Sequence, residues 1–352
     1  MIDLIKIRHD LHQIPELGFE EFSTQKYILN IISKYRCKIK TIGTGIIAFF
    51  DNKQSSTLIY RCEMDALKIK EENNIPYRST NNNMHACAHD AHMSLAIGLC
   101  DYLNTHNNFK ENIAILFQPS EEGYGGSKKI IESNYLDEIN TSKIIAIHFF
   151  PKLEKGVFFT SKVIFGSARE ININIKSKNI HVANKCDLTD PLIISSKIIS
   201  RLTRLSNRNQ LIHFGIINAG ETRNSLAASS LIYGTIRSKK DDSQLIKKIE
   251  KIINSIKKRY RINIKCDTSN YLPMINNDNK LINKAKKVIP LKVLNHTFFQ
   301  GEDFSLYSNK YQSLYLLYGI GEVNYLHTST FNFDDQLLLS CYKQLVNLIK
   351  IN

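Results

Sequence analysis

Apolar residues recur along this chain at two different periods, and each period predicts an element. Spacings of three and four over residues 2–12 and 21–35 predict helices. GIIAFF from Gly45 and TLIYR from Thr57 are apolar runs of strand length. Leu95, Ala96, Leu99 and Leu103 share one side of a helix that opens at His89. NIAILF from Asn112 and KIIAIHF from Lys143 read as strands, with a short helix over 127–131 between them. Helices alternating with such strands predict an α/β domain whose mixed, mostly parallel sheet is covered on both faces.

The pattern changes near residue 168. ININIKS from Ile171 alternates apolar and polar, as a half-buried strand does. A helix over 191–205, strands LIHFGIIN from Leu211 and SLIYGTIRS from Ser230, a second helix and the strand RINIKCD from Arg261 follow. The order βαββαβ predicts a ferredoxin-like α+β domain. The expected organisation is a discontinuous domain, 1–167 and 273–352, interrupted by an inserted domain over 168–272. LYLLYGIG and a helix from Asp335 return to the first domain.

Length and composition agree with this picture. At about 150 residues per domain, 352 residues make roughly two domains, enough for a large core without disulfide staples. The chain is 43% hydrophobic, too apolar for a disordered protein. No apolar run approaches the roughly 20 residues of a membrane span. The start, MIDLIKIRHD, is broken by charges and lacks the apolar core of a secretory signal. Cys37, Cys62, Cys87, Cys100, Cys186, Cys266 and Cys341 are an odd number with no CxxC pair. Reduced thiols in a cytoplasmic protein are expected.

The net charge of +14 invites a nucleic-acid or membrane reading. The lysines are scattered, however. Their one dense stretch, 239–265, doubles as an amphipathic helix with Leu245, Ile249, Ile252, Ile253 and Ile256 on one side. A solvated helix face explains it, so neither nucleic acid nor membrane is expected as a partner.

Four short segments carry the chemistry. In Met84-His85-Ala86-Cys87-Ala88-His89-Asp90, a thiol and an imidazole two residues apart precede a helix. That spacing suits a borderline-soft cation such as Zn²⁺, though a buried cysteine beside a core histidine is the commoner arrangement. Ser120-Glu121-Glu122-Gly123 follows an apolar strand, where open α/β sheets place ligands. Adjacent carboxylates repel unless a cation or a proton separates their roles. His148 ends another strand, and His327 follows LYLLYGIG; singly, they read as a core and a loop histidine. Together, Cys87, His89, Glu122, His148 and His327 supply enough ligands for two metal ions. Glu121 is then the candidate general base of a metal-assisted hydrolysis. Asp65 is placed to hydrogen-bond a ligand histidine and fix its tautomer.

These segments resemble the M20 metallopeptidase and amidohydrolase family, in its hippurate-hydrolase-like branch. RHDLHQIPELGFEE from Arg8, EMDAL from Glu63, MHACAHDAH from Met84, FQPSEEG from Phe117, HFFP from His148, NAGETRN from Asn218, GTIR from Gly234, GEDF from Gly301 and LHTSTF from Leu326 carry the resemblance in order. It implies a di-metal catalytic domain with an inserted dimerisation or lid domain, and hydrolysis of the amide of an N-acyl amino acid. Cys87, His89, Glu122, His148 and His327 match the metal ligands and Glu121 the base. Two divalent ions (Zn²⁺, Mn²⁺ or Co²⁺) are the implied cofactors. His181 matches the histidine that approaches the reacting carbonyl, typically from the partner of a homodimer. Asn224 and Arg237 match positions that bind the substrate carboxylate. EENNIPYRS and FQPSEEGYGG point within the family to N-acetyl-diaminopimelate as substrate, ahead of hippurate or another N-acyl amino acid.

There are departures from the family pattern. Ala88 stands where glycine is usual, which is acceptable only at negative φ. Glu63 replaces an aspartate, Cys62 an alanine, and the residues after His181 and Asn224 differ. The lid-side changes, after His181 and Asn224, motivate one reading from another class, a catalytically silent binding protein.

Overall fold

The computed structural model describes residues 2–123, 125–184 and 189–351; Cys186 lies outside them. The chain divides into two compact units: Met1–Ile164, Asn276–His296 and Asp303–Asn352 form one, Phe165–Ile275 and Thr297–Glu302 the other. In chain order come α1 (Leu4–His12), α2 (Phe22–Ile32), β1 (Lys38–Ile42), β2 (Gly45–Phe50) and β3 (Thr57–Glu63). Then follow α3 (His89–Thr105), β4 (Asn112–Gln118), α4 (Gly126–Glu132), α5 (Tyr135–Glu138), β5 (Thr141–Phe150) and β6 (Phe158–Thr160). The second unit supplies β7 (Ser167–Lys176), α6 (Pro191–Thr203), β8 (Gln210–Ala219), β9 (Ser229–Ser238), α7 (Ser243–Tyr260) and β10 (Asn263–Leu272). α8 (Asn279–Ala285), β11 (Leu291–Val293), α9 (Phe304–Ser308), β12 (Gln312–Gly319) and α10 (Gln336–Leu348) complete the first.

The first unit is built on one eight-stranded sheet, ordered β1-β2-β4-β3-β5-β12-β6-β11. β4, β3, β5 and β12 run parallel to one another. β2 is antiparallel to both β1 and β4, and β6 is antiparallel to β12, so the sheet is mixed at its flanks. Every residue of β2, β3 and β4 is buried, as the continuous apolar runs require. Helix α3 is buried from His89 to Cys100 and packs on β3 and β4. Truncating a core strand residue such as Ile145 to Ala would cost about 2–5 kcal/mol. Four parallel strands place their C-terminal ends along one edge, and the chemistry-bearing loops leave from that edge.

The second unit holds a four-stranded antiparallel sheet, ordered β10-β7-β9-β8. With α6 and α7 between the strands, this is the ferredoxin-like arrangement. Asp190 caps α6 by accepting from the Leu192 N–H, and Pro191 opens the helix where no amide donor is needed. Leu245, Ile249, Ile253 and Ile256 of α7 are buried against the sheet's isoleucines, and the intervening lysines are exposed. Residues 297–302 join this unit because the Phe298 carbonyl accepts from the Gly166 N–H at 2.9 Å. Among the described residues, no helix is long and apolar enough to cross a membrane.

Candidate metal centre

Cys87 lies in the turn entering α3, and His89 is the first residue of that helix. The turn closes on Ala88, whose φ is +63°. The sequence-based requirement for negative φ there is overturned. The alanine adopts the left-handed conformation, at a cost of roughly 1–2 kcal/mol, so that Cys87 and His89 face the same space.

Glu121 and Glu122 lie in the loop between β4 and α4. Its double glycine lets it fold back: Gly125 has φ +120°, and a Cβ on Gly126 would sit 1.7 Å from the Pro119 carbonyl oxygen. Ser120 is itself left-handed, with φ +49°. The buried Glu21 carboxylate holds it by accepting its N–H at 2.8 Å, while Thr44 donates to the other oxygen at 2.5 Å. His148 comes from the end of β5. His327 follows β12 and also has positive φ, +62°.

These loops bring Cys87, His89, Glu121, Glu122, His148 and His327 together in one unit. The donor atoms of Cys87, His89 and His148 lie within 4.8 Å of one another, as do those of Cys87, Glu122 and His327. The two triads share Cys87. The first is buried, and the second reaches the surface through His327. Glu121 groups with His89 and Glu122 within the same limit. Cys87 Sγ is 3.3 Å from His148 Nε2, and Glu122 Oε1 is 2.8 Å from His327 Nε2.

Asp65 contributes in two ways. His89 Nδ1 lies 2.8 Å from its main-chain oxygen and 3.4 Å from its carboxylate. The carboxylate also accepts the Glu122 N–H at 2.9 Å. With Nδ1 engaged, His89 Nε2 is left buried and without a hydrogen-bond partner. Burial pushes the Cys87 thiol well above its ordinary pKa, and the charges of Glu122 and Glu121 add to the rise. Burial lowers His89, but the Asp65 hydrogen bond and the charges of Glu63, Asp65 and Glu122 outweigh it and raise its pKa to about 9. Burial, then His92, hold His148 well below its ordinary value. The carboxylates thus make a negative field that a cation would reverse.

The other expected residues lie in the second unit. His181 and Asn224 are brought together there: His181 bridges Ser225, and its Nε2 is 3.4 Å from Asn224 Nδ2. Both are exposed. Arg237 is half-buried on β9, its Nε donating to Thr235 Oγ1. Gly301 leaves it room, since a Cβ there would lie 2.6 Å from Arg237 Nη1.

The pattern of peptidase family M20/M25/M40 matches residues 59–351. The chain belongs to this family. As an M20 protein it is a metal-dependent hydrolase. It is 31% identical to the N-acetyldiaminopimelate deacetylase of Bacillus subtilis (strain 168), covering 96% of this chain and 95% of that protein. The Streptococcus uberis protein of the same name is also 31% identical, over 95% of each chain. Among solved structures it resembles a dinuclear metal-binding M20 peptidase from Bacillus subtilis, with TM-score 0.87 and 26% identity, covering 99% of this chain and 97% of that one. A tripeptidase from Staphylococcus aureus, at 15% identity and TM-score 0.76 over 99% and 97% of the two chains, shares the fold.

In this M20 chain Arg61, Glu63, His92, Gln118 and Asp303 carry no role that sequence alone assigns. All five are buried polar or charged residues behind the candidate ligands. The available signal was an arginine and a glutamate inside an otherwise apolar strand.

Proposed function

We propose that the protein hydrolyses the amide bond of an N-acyl amino acid, with N-acetyl-diaminopimelate as its substrate and acetate and diaminopimelate as products. The observation that carries this reading is the pair of donor triads sharing Cys87, with Glu121 beside them. The names of the relatives in Bacillus subtilis and Streptococcus uberis support the substrate.

The donor set fits two divalent cations. A thiol, imidazoles and a carboxylate suit Zn²⁺, Mn²⁺ or Co²⁺, and the unpartnered His89 Nε2 and the raised Cys87 thiol ask for a positive charge. Cys87, His89 and His148 would hold one ion, and Cys87, Glu122 and His327 the other. Bound there, the metals supply Lewis acidity and a water that ionises near neutral pH.

The chain's own residues do the rest. Glu121 takes the proton of the attacking water and returns it to the amine as the C–N bond breaks. Asp65 holds His89 and the Glu122 backbone in place. His181 polarises the reacting carbonyl. Arg237 and Asn224 bind the substrate carboxylate, for which the guanidinium fork is suited.

We further propose a cytoplasmic homodimer. β8 is an edge strand whose Leu211, Ile216 and Ile217 are 40%, 55% and 44% exposed, an edge and apolar surface that a second copy would cover. Six described cysteines are free thiols, consistent with a reducing compartment.

The test is a panel of N-acetyl-diaminopimelate, hippurate and N-acetyl amino acids with defined metals, following the free amine. Fastest turnover of N-acetyl-diaminopimelate is expected. Binding of these compounds without hydrolysis under any of the three metals would overturn the enzyme reading. Preference for hippurate would overturn only the substrate.

A further inference from the structure

His92 sits three residues after His89 on α3 and is fully buried. Its Nδ1 is 2.8 Å from Glu63 Oε2, and its Nε2 accepts the Phe149 N–H at 3.0 Å. A carboxylate on one ring nitrogen and an amide donor on the other allow one neutral arrangement. The proton is on Nδ1, donated to Glu63, and the Nε2 lone pair is occupied. Glu63, His89 and His92 cluster tightly enough to hold a cation. The bonding of His92 nevertheless leaves it no lone pair to offer one.

Phe149 is held from a second side. His148 Nδ1 donates to the Phe149 carbonyl at 2.8 Å, which leaves His148 Nε2 directed at Cys87. Behind Glu63 stands Arg61, in a close ion pair with it. Arg61 Nε donates to Gln118 Oε1 at 2.9 Å and Nη2 to Asp303 Oδ1 at 2.7 Å. Asp303 also accepts from Gln118 Nε2 at 2.7 Å and from the Ser127 N–H at 3.0 Å. The array thus connects the ends of β3, β4 and β5 and the start of α4, the elements from which Glu121, Glu122 and His148 leave.

We infer that Glu63 and His92, backed by Arg61, are positioning residues that fix His148 against Cys87 through the backbone of Phe149. The inference rests on the assignment of His148 as a metal ligand. Outer groups of this kind commonly change metal affinity by about 10–100-fold. A buried array with every partner engaged also resists rearrangement, because freeing one charge leaves it desolvated.

The experiment titrates the metal-depleted full-length protein with Co²⁺, reading stoichiometry, the visible ligand-field bands and the thiolate charge-transfer band. His92→Ala is expected to weaken one of two Co²⁺ equivalents by about 10–100-fold and to shift its ligand-field bands. The charge-transfer band of the other equivalent should remain. Glu63→Gln should do the same more mildly. His92→Gln, which can accept from Phe149 and donate to Glu63, should restore most of the affinity. It also serves if His92→Ala fails to fold, a failure that circular dichroism of the metal-depleted protein would reveal.

Unchanged Co²⁺ affinity and spectrum in a folded His92→Ala or Glu63→Gln protein would overturn the inference. So would loss of one ion in His92→Gln as complete as in His92→Ala, because His92 would then be a ligand. Wild-type protein that binds two Co²⁺ but hydrolyses none of the panel would sink the proposed activity and leave this relay standing. Wild-type protein with no thiolate band would sink both.

Discussion

The backbone N–H of His327 donates to the Ala86 carbonyl across 2.9 Å, tying the loop after β12 to the residue before Cys87. One peptide contact therefore sets the distance between two loops that carry candidate ligands and lie far apart in the chain. It also explains why His327 tolerates a φ of +62°, since the neighbouring structure holds it there. His327→Ala should reduce turnover by roughly 100-fold or more and release one metal equivalent, which elemental analysis after dialysis would count. The buried Cys87–His89–His148 triad should keep its ion.

Glu121 answers differently. As a base it carries a proton, so Glu121→Gln should lower kcat by about 10²–10⁴-fold, with KM and metal content nearly unchanged. Metal loss in this variant would make Glu121 a ligand instead.

Ala88 is a position where opposing terms nearly cancel. Glycine would relieve roughly 1–2 kcal/mol of left-handed strain. It would also remove a buried methyl worth about 0.8 kcal/mol and add unfolded-state entropy. Ala88→Gly should therefore leave Tm almost unmoved. Ala88→Val sets a β-branched residue at φ +63° in a fully buried site and should destabilise by several kcal/mol, read by thermal unfolding.

The second buried charge cluster predicts a pH dependence. Burial lowers the His12 pKa, but hydrogen bonds to Asp90 at 2.9 Å and to Glu71 at 3.1 Å raise it to about 9. Below pH 6.5 the imidazole is charged in both folded and unfolded chains, and its ion pairs contribute fully. Between 6.5 and 9 the unfolded chain gives up its proton first, so the contribution shrinks and is gone above 9. In metal-depleted protein His12 should account for a loss of roughly 3 kcal/mol of stability across that window, beside a contribution of the same sign from His89. His12→Gln should make the slope shallower while the His89 part persists, as Tm measured at pH 6.5 and 9 would show.

Much of this was legible in the chain. Buried strands announced themselves as apolar runs, and GIIAFF coincides with β2 at both ends. The ligand candidates were legible because they follow such runs directly. β1 was not, because its lysines alternate with half-exposed isoleucines; β6 and β11, at three residues each, are too short to show a period. The Arg61 array was hidden for another reason. Arg61 and Asp303 are 242 positions apart, and no local pattern marks a pair made only by the fold. At Ala88 the turn's demand for positive φ outweighs the residue's own preference, which sequence alone does not reveal.

β12 lies inside the first sheet, hydrogen-bonded to β5 on one side and β6 on the other, although the whole second unit separates it from them in sequence. On the ribosome, at about 5–20 residues per second, the flank of β5 waits roughly 8–30 seconds while the antiparallel unit is made and folds. For that interval Ile144 to Phe150 present an open, apolar strand edge. The emergence of β12 closes that edge and brings His327 with it. Completion of the Cys87–Glu122–His327 triad is thereby a late event in the birth of the molecule.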